Sequence, residues 1–131
     1  DLFTTSEIAV GTLGLAYHLR QDDNGRQLDV VVGGLGLGYT AEVVLCDKSV
    51  GSLWVVEALQ AIIDWHVSGL LPLGEILCAD PRCKFVGSDF FNSARKNVGF
   101  DATQPGRCFD VILVDIDHAS DFHLAPENAG F

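Results

Sequence analysis

Hydrophobic residues along this chain come in short continuous blocks, set apart by glycine, proline and charge. Residues 28–32, Leu-Asp-Val-Val-Val, form the first block and run straight into Gly33-Gly34-Leu35-Gly36-Leu37-Gly38. Residues 53–57, Leu-Trp-Val-Val-Glu, form the second, and residues 83–87, Cys-Lys-Phe-Val-Gly, the third. The clearest is the fourth, residues 109–115, Phe-Asp-Val-Ile-Leu-Val-Asp. Short runs rich in β-branched and aromatic residues, bounded by turn formers, predict strands. Continuous rather than alternating apolarity predicts parallel strands covered on both faces.

Between the blocks the spacing predicts helices. Thr4-Thr5-Ser6-Glu7 matches a capping box, with Thr4 as N-cap, and opens a helix to about residue 20. Its apolar positions include Ile8, Leu13, Ala16 and Leu19, and Gly11 and Gly14 each weaken it by roughly 1 kcal/mol unless close packing needs them. Residues 21–27 are a polar turn, and residues 39–46 read as a helix. Residues 59–68 predict a helix with Ile62, Ile63 and Val67 inward, stopped by Gly69. Residues 70–81 carry Pro72, Gly74 and Pro81 and read as a loop. Residues 90–96 suit one or two helical turns, 97–107 a connection and 117–131 a polar, irregular tail.

Strand, helix, strand, helix, strand, connection, strand is the rhythm of a doubly wound α/β sheet. One domain over residues 1–131 is expected, with strand order 3-2-1-4 and a preceding N-terminal helix. Strand four is then an edge, and Val111-Ile112-Leu113-Val114 is too apolar for one that faces solvent. It is expected to pair with further chain or with a second subunit. That makes the chain either a homodimer through this edge or an N-terminal part of a larger, otherwise incomplete domain.

Composition narrows the function. The chain has 131 residues, 48% of them hydrophobic, which is enough for a real core and excludes a disordered polypeptide. Asp and Glu number 18 against 8 Lys and Arg, a formal net charge of −10. Backbone binding to nucleic acid needs cations to displace counterions, and docking on anionic lipid needs them too. Neither partner is expected, and a cationic or neutral small molecule fits better. No apolar run reaches the roughly 18 residues of a membrane span, and the first residues lack a basic signal segment. The four cysteines form no CxxC pair, and Cys46 and Cys108 lie in apolar runs as small core residues. A cytoplasmic protein with reduced thiols is expected.

Four features carry candidate chemistry. Gly34-x-Gly36-x-Gly38 follows a strand and precedes a helix, so a ligand can approach its backbone and meet the free N–H groups of a helix start. The spacing is GxGxG, not the GxGxxG of dinucleotide sites. Glu57 ends strand two, 19 residues after Gly38, where a carboxylate can accept from two ribose hydroxyls. Asp89 follows strand three and can accept from an adenine amine. Asp115-Ile116-Asp117-His118, with Asp121 and His123 beyond, lies at the carboxyl end of strand four, outside which such sheets bind ligands. Asp115 can orient or deprotonate a nucleophile there. No spacing is diagnostic of a metal, and none is expected. Trp54 and Trp65 read as core packing, and His66 as a surface or internally satisfied histidine.

With these residues placed, the chain resembles the spermidine synthase (polyamine aminopropyltransferase) branch of the class I S-adenosylmethionine-dependent methyltransferase fold, which is Rossmann-like. The resemblance runs from about residue 28 to residue 118. It rests on the Val-Val-Val-Gly33-Gly34-Leu-Gly36-Leu-Gly38 box, Val-Val-Glu57, Asp80-Pro81-Arg82 before Phe-Val-Gly87-Ser-Asp89, and Phe109-Asp110-Val-Ile-Leu-Val-Asp115. It implies that Gly34, Gly36 and Gly38 pass the methionine-derived part of S-adenosylmethionine or its decarboxylated form. Glu57 would hold the ribose and Asp89 the adenine. Asp115 would match the first Asp of the synthase Asp-Ser-Ser-Asp-type motif and help deprotonate the attacking amine. His118 falls on the second Asp of that motif, beside Asp117, and both would meet the substrate. Gly36 stands where the synthase box has Asp, and Ile116 where the motif has a hydroxyl residue. Aminopropyl transfer to an amine is the leading expectation. Methyl transfer on the same fold and a non-catalytic nucleoside-binding module are the alternatives.

Overall fold

The computed structural model describes residues 5–19, 26–96 and 99–116. The elements in chain order are α1 (Thr5–Leu19), β1 (Leu28–Gly33), α2 (Tyr39–Cys46), β2 (Val50–Glu57), α3 (Gln60–Val67), α4 (Gly74–Ala79), β3 (Cys83–Gly87), α5 (Phe90–Arg95) and β4 (Val111–Val114). The four strands form one sheet in the order β3-β2-β1-β4, and every pairing is parallel. This is the expected α/β, Rossmann-like arrangement with a preceding N-terminal helix. Thr4, most of the polar turn and the tail from residue 117 lie outside the described residues. Among the described residues, no helix is long and apolar enough to cross a membrane.

Central strands β1 and β2 are covered on both faces, as their continuous apolarity requires. On one face Val30, Val32, Leu53 and Val55 pack beneath Leu13 of α1, Val44 of α2, Ile63 of α3 and Leu77 of α4. On the other, Val31, Trp54 and Val56 pack against Phe90 and Phe100. Phe90 and Phe100 stack at 5.3 Å, and Phe109 meets Trp54 edge-on at 6.1 Å. Each fully buried valine stabilises the sheet by about 1.5–3 kcal/mol relative to an exposed one.

Strand β4 departs from that pattern. Val111 and Leu113 are buried, but Ile112 and Val114 are 52% and 47% exposed. Among the described residues this second face of β4 is therefore only about half covered.

Helix faces are where the sequence reading fails most. In α1 the inward residues are Ala9 and Leu13, with Ala16 partly buried against the same core, while Ile8 and Leu19 face solvent. Gly11 and Gly14 meet nothing within 4 Å of a notional Cβ, so no close packing requires them. In α3 Val67 and Trp65 are exposed, and His66 takes the inward place beside Ile63. Its end is as expected: Gly69 adopts φ +79°, and the N–H groups of Gly69 and Leu70 return to the carbonyls of His66 and Trp65. The expected loop over 70–81 contains α4. Pro72 lies just before this helix, and Gly74 opens it because a Cβ there would lie 2.3 Å from the His66 carbonyl oxygen. The glycine and proline that read as loop signals therefore mark a helix start. Cys46 and Cys108 are exposed rather than core residues.

The Asp80-Pro81-Arg82 motif proves architectural. The Arg82 guanidinium donates to the carbonyls of Leu45, Asp47 and Val50 and to both Asp80 oxygens. It closes the carboxyl end of α2, whose last carbonyls have no helical partner. Arg82 in turn holds the Asp80 carboxyl below its ordinary range, and Asp80 raises Arg82.

Candidate functional site

At the carboxyl ends of the strands lies a cavity of about 380 Å³. That is within the range of small-molecule sites, roughly 300–1,000 Å³. Gly34, Gly36, Gly38, Glu57, Asp89 and Asp115 all line it. The structure thus brings six of the eight candidate residues to one place; Asp117 and His118 lie outside the described residues.

The glycine run supplies the floor. Gly34 sits at φ +104°, and a Cβ there would fall 2.2 Å from the Asp115 carbonyl oxygen. This glycine lets the end of β4 close on the end of β1, where the Asp115 N–H donates to the Gly33 carbonyl at 2.7 Å. Gly33 serves a different neighbour: a Cβ on it would enter the Phe90 ring at 2.5 Å. The doubled glycine therefore seats Phe90 on one residue and the β4 terminus on the next. Gly38 caps α2 with no side-chain hydrogen bond, so the first N–H groups of that helix receive no side-chain partner at the cavity edge.

Glu57 holds the loop as well as lining the cavity. It is only 6% exposed. Its Oε1 accepts the Leu35 N–H and its Oε2 the Leu59 N–H, each at 3.0 Å. Asp89 caps α5 by accepting the Asn92 N–H at 3.0 Å. Asp89 is therefore also the N-cap of α5. Each carboxylate retains acceptor positions beyond these bonds, since an ionised carboxyl offers about four.

Asp115 is half-buried and tied across the cavity. The Thr40 hydroxyl, in the first turn of α2, donates to its Oδ2 at 2.6 Å. Thr40 is itself buried. Sequence reasoning missed it; the usable signal was a lone hydroxyl two residues past Gly38, in the turn that must face β4. Among the described residues no group of three His, Cys, Asp or Glu side chains is gathered as a metal would need.

Among the described residues the lining contains three carboxylates and no Lys, Arg or His. Arg107 is engaged elsewhere: it pairs with Asp101 at 3.0 Å and Asp29 at 3.3 Å and lies over the Trp54 ring. The Thr103 hydroxyl and Arg107 hold the Asp101 carboxyl below its ordinary range.

No family model matches the chain, and no curated protein does. Solved structures do. The fold is similar to spermidine synthase from Thermotoga maritima, with TM-score 0.52 and 25% identity, covering 68% of this chain and 28% of that one. It is also similar to a spermidine synthase in complex with the transition-state analogue AdoDATO, with TM-score 0.56 and 23% identity, covering 82% of this chain and 34% of that one. The chain is spermidine synthase-like in fold and spans about a third of the length of these neighbours.

Proposed function

We propose that this chain binds decarboxylated S-adenosylmethionine and takes part in transferring its aminopropyl group to an amine. The observation that carries the reading is the charge of the cavity: Glu57, Asp89 and Asp115 converge on it, and among the described residues no basic side chain lines it. S-Adenosylmethionine bears a carboxylate next to its amine. In this cavity that carboxylate would meet three like-charged neighbours and, among the described residues, no cationic partner, which is costly. The decarboxylated molecule bears only cationic groups on its side chain and is favoured.

In this reading Glu57 accepts from the ribose hydroxyls with the lone pairs that Leu35 and Leu59 leave free. Asp89 accepts from the adenine amine. The backbone of Gly34, Gly36 and Gly38 runs beside the sulfonium-bearing chain. Thr40 holds one oxygen of Asp115, so the other faces the incoming amine. The amine nitrogen forms a bond to the carbon next to sulfur, and the carbon–sulfur bond breaks with its electron pair kept on sulfur. The proton lost by the amine goes to Asp115, and neutral methylthioadenosine leaves. Holding both partners in line supplies most of the acceleration. Asp117 and His118 complete the acceptor side of the proposal.

The test is a calorimetric titration with S-adenosylmethionine, its decarboxylated form and methylthioadenosine. Tighter binding of the last two is expected. Preference for S-adenosylmethionine would point to methyl transfer instead. No binding by any of the three, with the protein folded, would refute a nucleoside site.

A further inference from the structure

His66 is fully buried, and its Nε2 lies 2.8 Å from the Gly36 carbonyl oxygen. A carbonyl only accepts, so Nε2 must carry a proton, and in the neutral ring Nδ1 is then the bare nitrogen. That Nδ1 is buried without a partner. An apolar side chain of the same shape would fill this space without burying a bare nitrogen, so packing alone does not account for a histidine here. What the imidazole adds is one N–H to the tip of the glycine loop. Gly36 and Leu37 are themselves exposed, and a notional Cβ on Gly36 meets nothing within 4 Å, so few other contacts hold this tip.

We propose that His66 is the positioning residue of the glycine loop, setting the orientation of the Gly36–Leu37 peptide that the bound nucleoside meets. The proposal rests on the nucleoside reading above and deepens it. Because the peptide is planar and trans, anchoring the Gly36 oxygen to Nε2 also turns the Leu37 N–H away from His66. The imidazole is in turn firmly seated. Its Cε1 lies 3.2 Å from the place a Gly38 Cβ would occupy, and its ring centre is 6.2 Å from that of Phe85. The His66 carbonyl accepts the Gly69 N–H and lies against Gly74, so the end of α3 and the start of α4 hold the residue from behind. A loop made flexible by three glycines is thus fixed at its tip from beneath, by a residue outside the cavity lining.

The test compares His66→Phe, which keeps the ring and loses the donor, with His66→Gln, whose side-chain amide can offer N–H at a similar reach. In His66→Phe, amide hydrogen exchange over residues 34–38 should rise, and affinity for methylthioadenosine should fall about tenfold, the size of one net hydrogen bond. His66→Gln should restore both. Equal loss in the two variants would reduce His66 to packing and overturn the proposal, as would unchanged exchange and affinity in His66→Phe. The wild-type imidazole ¹⁵N spectrum is a check that needs no variant: the Nε2–H tautomer is expected, and an Nδ1–H tautomer would overturn the proposal. Wild-type protein that binds no nucleoside would refute the reading of the site, while loop exchange and the tautomer would still decide the role of His66.

Discussion

Replacing Glu57 by Gln separates the two tasks assigned to this carboxylate. In the folded chain its two oxygens accept one backbone N–H each, from Leu35 and Leu59. Glutamine keeps the shape but only one acceptor oxygen; its amide nitrogen must face one of those N–H groups as a second donor. One charge-assisted bond is lost with its donor left unpaired, and the other becomes neutral and about half as strong. Hydrogen bonds to charged groups contribute about 1.5–3 kcal/mol, and a buried unpaired donor costs about 1–3 kcal/mol. Relief from burying one charge works in the opposite direction. A net loss of about 2 kcal/mol is expected. With an unfolding entropy near 2.1 cal/mol/K per residue, that lowers the melting midpoint by about 7 °C. Urea titration should show a lower midpoint at unchanged slope. Calorimetry with methylthioadenosine, at a temperature where both proteins are folded, should show at least about a tenfold weaker complex. Wild-type stability in Glu57→Gln would refute the loop clamp. Lower stability with unchanged affinity would refute the ribose role.

Four further outcomes follow from the geometry. Thr40→Val removes the hydroxyl that holds Asp115 and should slow single-turnover transfer to an aliphatic diamine about tenfold, for a stability cost of only about 1 kcal/mol; an unchanged rate would remove Thr40 from the site. Burial pushes the Cys83 thiol up to about 12, so a thiol reagent at pH 8 should label exposed Cys46, Cys78 and Cys108 and reach Cys83 only on unfolding. The lowered carboxyls of Asp80 and Asp101 contribute stability that is present above their unfolded values, near 3.9, and lost as pH falls through their folded values. Acid titration should therefore show a stability loss below about pH 4, with a shallower limb in Arg107→Met. The half-exposed Ile112 and Val114 on edge strand β4 should make the chain self-associate with rising concentration, and Ile112→Lys should make it monomeric; light scattering from a wild type that stays monomeric would refute this.

The strands were legible because a buried parallel strand needs a continuous apolar run, and their order because the chain resembles a doubly wound fold with that order. Their carboxyl-end residues were legible as a set for the same reason. Once the order is 3-2-1-4, Gly34, Glu57, Asp89 and Asp115 must all emerge at one end of the sheet. Helix faces were not. In α3 the apolar Val67 and the polar His66 lie on neighbouring positions, and hydrophobicity alone favours the wrong one. The orientation was settled by the space under the glycine loop, which the His66 ring fills, and by the Gly36 carbonyl, which its N–H meets. Helix α4 was hidden because Pro72 and Gly74 mark a helix start as readily as a loop.

By itself, then, the amino-acid order determined which segments are strands, in what topology, and which carboxylates reach the end of the sheet where ligands bind. The strands follow from local apolar patterning, and their order from the resemblance to a doubly wound fold whose parallel crossovers are right-handed. Only the tertiary structure decided that Glu57 clamps the loop it borders, that Thr40 anchors Asp115 and that His66 supports Gly36 from below. Each of these is one hydrogen bond between groups 22, 75 and 30 residues apart. Such a bond depends on distances of a few tenths of an ångström, and those are set only when the whole core has packed.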